Sequence, residues 1–336
     1  MKEDTATSMP RLPGISVRSF VDAFDDSSLQ LIILPTEKCN FRCSYCYEDF
    51  SIGKMNDDTT TALKLFLTKR MSDLRDLSVE WFGGEPLLAL SIIEEIQSHI
   101  LEKMNDGLRF NSYVTTNGYL LSFSRFELLL SLRVKYFQIT LDGPKNIHDK
   151  SRLHLKKEGT FDTIWENILS TRKSNTDFKV NLRVHYTPSN WASILPLISM
   201  IRESLAGDDR YVIHFKSIEQ LGGKNSKMVE RFSKGEREHI VSMFHHALGN
   251  EISTISPSKR QICYAAKANS FVVRADGSLN KCTIALSEKD NNVGRILANG
   301  SVEIRNDRFK HWLAGFQTGE IKELHCPYNN VVRPLT

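Results

Sequence analysis

From residue 29 onward, six apolar runs bounded by turn residues alternate with amphipathic stretches of helical period. That alternation is the pattern of βα units built on a parallel sheet. The runs at 29–34, 77–82, 109–115, 135–141, 178–186 and 211–218 read as strands. Helices are expected at 58–71, 87–104, 124–132, 161–173, 191–205 and 231–248. Six units over roughly 220 residues are too few for a closed eight-unit barrel, which takes about 250. The expectation is therefore an α/β fold, a partial (βα)6 TIM-like barrel over 28–250, with its chemistry at the carboxyl ends of the strands. Residues 1–27 show no sustained period and read as an N-terminal arm. Beyond 250 the pattern changes, and runs at 271–275 and 278–282 flank Asp276-Gly277, a β-hairpin signal. A small module of hairpin and helix is expected over 251–336.

Composition narrows the class of molecule. The 336 residues are 40% hydrophobic and 25% charged, enough for a sizeable core and unlike a disordered or collagenous chain. Lys and Arg number 44 against 40 Asp and Glu, a net +4 with no long basic run, so nucleic-acid binding has no compositional support. The longest apolar stretches fall far short of the 18 or so residues needed to span a bilayer. The first residues lack a basic segment leading into an apolar one, so no export signal is visible.

There are only six cysteines, and they are unevenly placed: Cys39, Cys43 and Cys46 fall within eight residues, while Cys263, Cys282 and Cys326 lie in the last quarter. An even count admits disulfides, but a chain of this size without an export signal has neither the need nor the compartment for them. Metal or cluster ligation is the better starting point. The CxxxCxxC spacing follows directly on the first expected strand. Three soft thiolates from one loop suit three irons of a four-iron, four-sulfur cluster, leaving the fourth iron open. A zinc site is the alternative, although zinc loops usually pair CxxC motifs and take four protein ligands; three unrelated buried thiols are another.

With Tyr45 as the aromatic residue before the last cysteine, this segment resembles the CxxxCxΦC signature of the radical S-adenosylmethionine (SAM) superfamily. The resemblance implies that Cys39, Cys43 and Cys46 bind a [4Fe-4S] cluster whose open iron is chelated by the amino and carboxylate groups of SAM. It implies further that one electron cleaves the sulfonium and that the 5′-deoxyadenosyl radical so formed takes hydrogen from a substrate, which the protein positions and shields. Gly83-Gly84-Glu85-Pro86, after the second strand, is similar to the family's GGEP segment, whose backbone meets the methionine amino group. Glycines permit that approach because they lack Cβ. Thr115-Thr116-Asn117-Gly118 resembles the TNG turn close to the cofactor, with a plain Asn-Gly turn as the alternative.

The fourth strand ends in Thr140-Leu141-Asp142-Gly143-Pro144, followed by His148-Asp149 and Arg152. This resembles the S/T-x-DGP…HD…R pattern of the branch that modifies peptides and proteins. On that resemblance Thr140 and Asp142 face the ribose or the methionine carboxylate, and Arg152 belongs with the cofactor-binding residues; His148 either shares that role or stabilises the following loop. Alternation on the fifth strand turns Arg183 toward the barrel interior, where it needs an anionic partner. The cofactor carboxylate and a structural Asp or Glu are both candidates.

Cys263 and Cys282 frame C-x13-G-x4-C around Gly277. This resembles the opening of the SPASM or twitch extension, in which cysteines around a hairpin hold an auxiliary [4Fe-4S] cluster. Asn292-Val293-Gly294-Arg295-Ile296 and the aromatic stretch around Phe309 and Trp312 are similar to the same extension. The extension is incomplete, because the run that Cys326 would begin continues with Asn329 and Leu335 where cysteines are expected. Either Cys263, Cys282 and Cys326 hold one auxiliary cluster with a non-Cys or absent fourth ligand, or the module is degenerate and Cys326 is a free thiol able to donate a hydrogen atom.

The resemblance implies an enzyme that cross-links or epimerises a ribosomally made peptide or protein. A formylglycine-forming activity like that of anaerobic sulfatase maturases is the alternative, although those enzymes carry Asp directly after the second hairpin cysteine and this chain has Thr283. A non-catalytic iron–sulfur sensor or partner-binding protein is the alternative from another class, against which the retained Gly83-Gly84-Glu85-Pro86 and Arg183 argue. Expected partners are the peptide or protein substrate, a flavodoxin- or ferredoxin-type electron donor and a separate leader-recognition protein. Thiolates that must stay reduced imply a cytoplasmic, anoxic setting.

Overall fold

The computed structural model describes residues 15–221, 229–255 and 262–328. Its elements run α1 (Val17–Asp22), β1 (Ser28–Thr36), β2 (Phe41–Cys43), α2 (Asp57–Met71), β3 (Asp76–Gly83), α3 (Leu90–Lys103), β4 (Arg109–Thr116), α4 (Phe123–Ser131), β5 (Val134–Leu141), α5 (Lys145–Ser151), β6 (Arg152–His154), α6 (Phe161–Thr171), β7 (Lys179–Tyr186), α7 (Ile194–Leu205), β8 (Tyr211–Ser217) and α8 (Lys234–Leu248). The remainder is β9 (Ser253–Thr254), β10 (Ser270–Val273), β11 (Ser278–Asn280), β12 (Asn292–Ile296), β13 (Val302–Ile304), α9 (Asn306–Trp312), α10 (Ala314–Thr318) and α11 (Ile321–His325).

Each of the six expected strands is present within two residues of its expected ends, as β1, β3, β4, β5, β7 and β8. They pair in chain order and always in parallel. The expected helix at 231–248 starts later, at Lys234, because Ser233 caps it: its hydroxyl accepts from the Glu236 amide while the Glu236 carboxylate accepts from the Ser233 amide. A 3₁₀ turn at Pro86–Ala89 splits the stretch expected as one helix at 87–104, since the Glu85 side chain accepts from the Leu87 amide.

Strand residues alternate between a buried apolar side and a half-buried polar one on β3 and β7. Val79, Trp81, Val180, Leu182, Val184 and Ile213 pack into the core beneath the helices. Deleting a fully buried aromatic such as Trp81 costs about 3–5 kcal/mol. The alternate positions, Glu80, Gln138, Arg183, His185 and Lys216, line a cavity on the opposite side. A parallel sheet covered by helices on both faces would read as continuous apolar runs. Here the alternation leaves a polar inner surface, as a partial barrel around a site requires.

The C-terminal hairpin extends the same sheet. β10 pairs in parallel with β1, Ile32 opposite Val272, and then antiparallel with β11. Gly277, with φ of +79°, makes the reversal that Asp276-Gly277 signalled. Lys281 fixes the hairpin from inside: it is fully buried, donates to the carbonyls of Lys267 and, at 2.5 Å, Ser270, and lies 4.9 and 5.1 Å from the ring centroids of Phe271 and Phe309. At the other end of the chain, α1 sets Phe20 and Phe24 against Phe316, with centroids 5.1 and 4.7 Å away. No helix among the described residues is long and apolar enough to cross a membrane.

Candidate functional site

β1 delivers the cysteine loop to the carboxyl edge of the sheet. Cys43 sits on β2, which pairs antiparallel with β6 so that Cys43 lies opposite Arg152. The Phe41 amide donates to Cys39 Sγ at 3.3 Å, and the Cys46 amide to the Cys43 carbonyl at 3.1 Å. All six cysteines are free thiols. Burial, and then the charge of Glu85, pushes the Cys39 thiol upward; burial and Glu48 push Cys46 to about 12. The charges of Cys43 and Cys46 add to the rise at Cys39, and all three cysteines line one cavity. Ionised, these buried thiols would need a cation beside them, and the irons of a cluster held by Cys39, Cys43 and Cys46 would supply it. Among the described residues no three His, Cys, Asp or Glu converge on one ion position. A cluster needs no such point, since each thiolate takes its own iron.

Gly83 and Gly84 brace this loop. A Cβ on Gly83 would lie 2.4 Å from the Thr36 carbonyl oxygen, and one on Gly84 2.5 Å from that of Lys38. Gly83 also has φ of +111°, where only glycine is unstrained. The two glycines therefore let the loop after β3 press against the chain leading into Cys39. Glu85 is fully buried and does not line the cavity; its carboxylate accepts from the Leu87 amide at 3.0 Å, Thr116 Oγ1 at 2.8 Å and the Asn117 amide at 2.7 Å. It locks the Thr116-Asn117 turn to the loop after β3, and Asn117 in turn donates to Asn40 Oδ1 at 2.8 Å, beside Cys39. Pro86 begins the 3₁₀ turn that follows and stays outside the cavity.

Asp142, at the end of β5, is likewise fully buried and outside the cavity wall. Its carboxylate accepts from Tyr45 at 2.9 Å and Ser151 at 2.6 Å, with His185 Nδ1 at 3.5 Å and Arg152 Nη1 at 3.9 Å. Burial opposes its ionisation, but Arg152, then His185 and His148, hold it well below the usual carboxylate range. The Tyr45 hydroxyl also accepts from Arg152 at 2.7 Å. The Asp142 amide donates to His148 Nδ1 at 3.3 Å, which gives His148 the loop-stabilising part.

Cys39, Cys43, Cys46, Tyr45, Gly83, Gly84, Thr116, Asn117, Thr140, Arg152 and Arg183 all line one cavity of about 430 Å³. Among the described residues no carboxylate lies within ion-pair distance of Arg183, and its Nε is buried without a partner. An unpaired guanidinium in a cavity walled by three thiols fits an anionic group such as the carboxylate of SAM. These residues therefore fit both the cluster and its cofactor.

Several cavity residues carried no motif. Glu80, Gln138 and His185 reach it by the same strand alternation that places Arg183, which was the available signal. Glu48 also lines it, with one buried oxygen unpartnered and its carboxyl pushed up to about 8 by burial and by Glu37. The C-terminal hairpin closes one side with Tyr264, Thr283 and Ile284, and the Tyr264 hydroxyl accepts from the Thr283 amide at 3.0 Å. The nearly buried Glu37 takes a bidentate grip from Arg274 of that hairpin at 2.6 and 2.9 Å, tying it to the loop that precedes Cys39. Cys263, Cys282 and Cys326 do not line the cavity. Burial pushes Cys263 up to about 11, and the charges of Cys282 and Cys326 add to it. Asn291 pins the Cys282 loop through the amides of Lys281 and Cys282 at 3.0 and 2.8 Å. Asn329 and Leu335 lie outside the described residues.

The cysteine-type anaerobic sulfatase-maturating enzyme of Clostridium novyi is 26% identical over 167 residues, 46% of this chain and 43% of that protein. The chain spans less than half the length of the first curated relatives it matches. The fold is similar to that of anSMEcpe with bound AdoMet and Cp18Cys peptide, with a TM-score of 0.66 at 19% identity, covering 89% of this chain and 84% of that one. It is also similar to Streptococcus suis SuiB bound to precursor peptide SuiA, with a TM-score of 0.57 at 14% identity, covering 82% and 64%. The model of the radical SAM superfamily matches residues 33–199, a span that holds the cysteine loop, the paired glycines, Asp142 and Arg183, and the chain belongs to that superfamily.

Proposed function

We propose that this chain cleaves SAM reductively at a [4Fe-4S] cluster held by Cys39, Cys43 and Cys46 and modifies a ribosomally made peptide or protein, by cross-linking or epimerisation. The observation that carries the proposal is the single cavity in which the three cysteines, the two glycines and the unpaired Arg183 meet beneath a wall supplied by the C-terminal hairpin. When held by Cys39, Cys43 and Cys46, the cluster would supply the one electron needed for reductive cleavage of the SAM sulfonium, and so the means of taking hydrogen from a substrate.

The chain's own residues hold and shield that chemistry. Arg183 meets the cofactor carboxylate, while Gly83 and Gly84 keep the cysteine loop close to the backbone that meets the amino group. Thr116, Asn117 and Thr140 line the strand ends beside it. Tyr45 and Arg152, fixed by Asp142, form a rigid polar wall behind Cys43. Tyr264, Thr283 and Ile284 exclude water from the hairpin side. Cys263, Cys282 and Cys326 hold a second cluster in this scheme. The test is co-expression with short reading frames neighbouring the gene, followed by mass spectrometry. A mass change in such a peptide that depends on Cys39, Cys43 and Cys46 supports the proposal; unchanged peptides count against it.

The sulfatase-maturating relative supports a second reading, oxidation of a target cysteine or serine to formylglycine. Thr283 offers no proton acceptor at the hairpin, but Glu48 brings a carboxyl with an unpartnered oxygen into the cavity. A hydrazine probe that labels the treated peptide would favour this reading, because formylglycine carries a reactive carbonyl and neither a cross-link nor an epimer does.

A further inference from the structure

Four cations surround the cysteine loop without a partner of opposite charge. Lys38 and Arg42 are exposed and share Phe50: Lys38 Nζ donates to its carbonyl at 2.7 Å, and the Arg42 guanidinium lies 4.5 Å from its ring centroid. Arg42 also donates to the carbonyls of Cys39 at 2.9 Å and Phe41 at 2.6 Å, so it stands on the outer side of the loop between the first two cysteines. Across the β2–β6 pair, the Leu155 amide donates to the Asn40 carbonyl at 2.8 Å, which fixes the following turn beside Cys39. That turn presents Leu155, 51% exposed, with exposed Lys156 and Lys157. Among the described residues, none of Lys38, Arg42, Lys156 and Lys157 has a carboxylate within ion-pair distance. The exposed acids on the same loops are Asp49, which accepts from the Ser51 amide at 3.0 Å, and Glu158; Glu37 is paired with Arg274 and Glu48 is turned into the cavity. Over the whole chain 44 cations face 40 anions, so this local surplus is not the average.

We infer that this face is the docking surface of an acidic one-electron carrier protein, with Leu155 at its apolar centre and Lys38, Arg42, Lys156 and Lys157 as its basic rim. The triplet also opens on the cavity, whose lining includes Phe50, the residue that Lys38 and Arg42 share. On the outer face of the β2–β6 pair, Arg42 and the Leu155 turn are bonded directly to the backbone of residues 39–41, so a carrier seated there comes within a few bonds of the thiolates. An exposed leucine ringed by unpaired cations suits a transient partner whose acidic surface is drawn in by charge and seated by a small apolar contact. In the transfer the carrier loses one electron and the cluster gains one, and no bond is made or broken. The inference rests on the proposed SAM-cleaving function and adds to it the place at which the electron enters.

The experiment uses the full chain with its cluster reconstituted anaerobically, reduced flavodoxin as the carrier and dithionite as a small reductant, with cluster bleaching followed by stopped flow. In the variant K156E/K157E, reduction by flavodoxin at low salt should slow about tenfold or more and converge on the wild-type rate at high salt. Reduction by dithionite should be unchanged. Leu155→Ser should slow the flavodoxin reaction at both salt concentrations. Equal flavodoxin rates for K156E/K157E and wild type at low salt would overturn the docking surface while leaving the proposed function standing. Failure of dithionite to bleach the wild-type cluster would overturn both.

Discussion

The Tyr45 hydroxyl donates to Asp142 Oδ1 at 2.9 Å, joining the cysteine loop to the end of β5 across 97 residues of sequence. The same hydroxyl accepts from Arg152, whose strand pairs with the one that holds Cys43; Asp142 and Arg152 are buried and Tyr45 half-buried. Asp142→Asn leaves the Arg152 guanidinium in a buried site with a neutral neighbour, a loss of about 3–5 kcal/mol. Chemical denaturation of the variant should show that loss, whereas Ser151→Ala, which removes one hydroxyl donor to the carboxylate, should cost less, about 1.5–3 kcal/mol.

Gly84 tests the brace on the cysteine loop. In Gly84→Ala the new methyl meets the Lys38 carbonyl, a backbone atom that has nowhere to go. Overpacking of this kind costs about 1–3 kcal/mol. The melting temperature should fall, and iron bound per chain after reconstitution should fall with it, because the displaced segment carries Cys39. Full iron with an unchanged melting temperature would mean that the loop has slack which this packing excludes.

The barrel was legible in the sequence to a degree the site was not. Strand alternation and helical period are local signals, and they found β1, β3, β4, β5, β7 and β8 and put Arg183 inside. The CxxxCxxC loop and Gly83-Gly84 are contiguous and were equally plain. β2 and β6 are three residues each, too short for any period to register. Glu37 and Arg274 are 237 positions apart, and nothing in either segment announces the other. The motif resemblance makes Asp142 and Glu85 cofactor neighbours, whereas the packing commits both carboxylates to protein donors. Glu48 entered the cavity without a signal, carried there by the loop it follows.

Arg183 should separate cofactor binding from cluster assembly. Replacing it by Met keeps much of its volume and removes the unpaired charge. SAM affinity of the reconstituted chain should fall roughly 10- to 100-fold, the size of a lost charge-assisted hydrogen-bond pair. Iron content should match wild type. Equilibrium dialysis with labelled SAM gives the first quantity and colorimetric iron the second.

His148 predicts an acid limit to stability. Its Nδ1 accepts from the Asp142 amide, so it must be unprotonated, and burial lowers it to about 4 from an ordinary value near 6.5. The unfolded chain binds the proton first as pH falls. The resulting stability is present above about pH 6.5 and is lost progressively toward pH 4, by roughly 3 kcal/mol for this group. His185, also lowered to about 4, acts in the same direction. Urea midpoints measured from pH 7.5 to 4 should fall across that window, and less steeply in His148→Gln.

The most direct test of the account is the fate of SAM. The chain, reconstituted anaerobically with iron and sulfide and reduced with dithionite, should convert SAM into equal amounts of methionine and 5′-deoxyadenosine, and Cys43→Ala should produce neither. An intact, reduced four-iron cluster that leaves SAM uncleaved would contradict it.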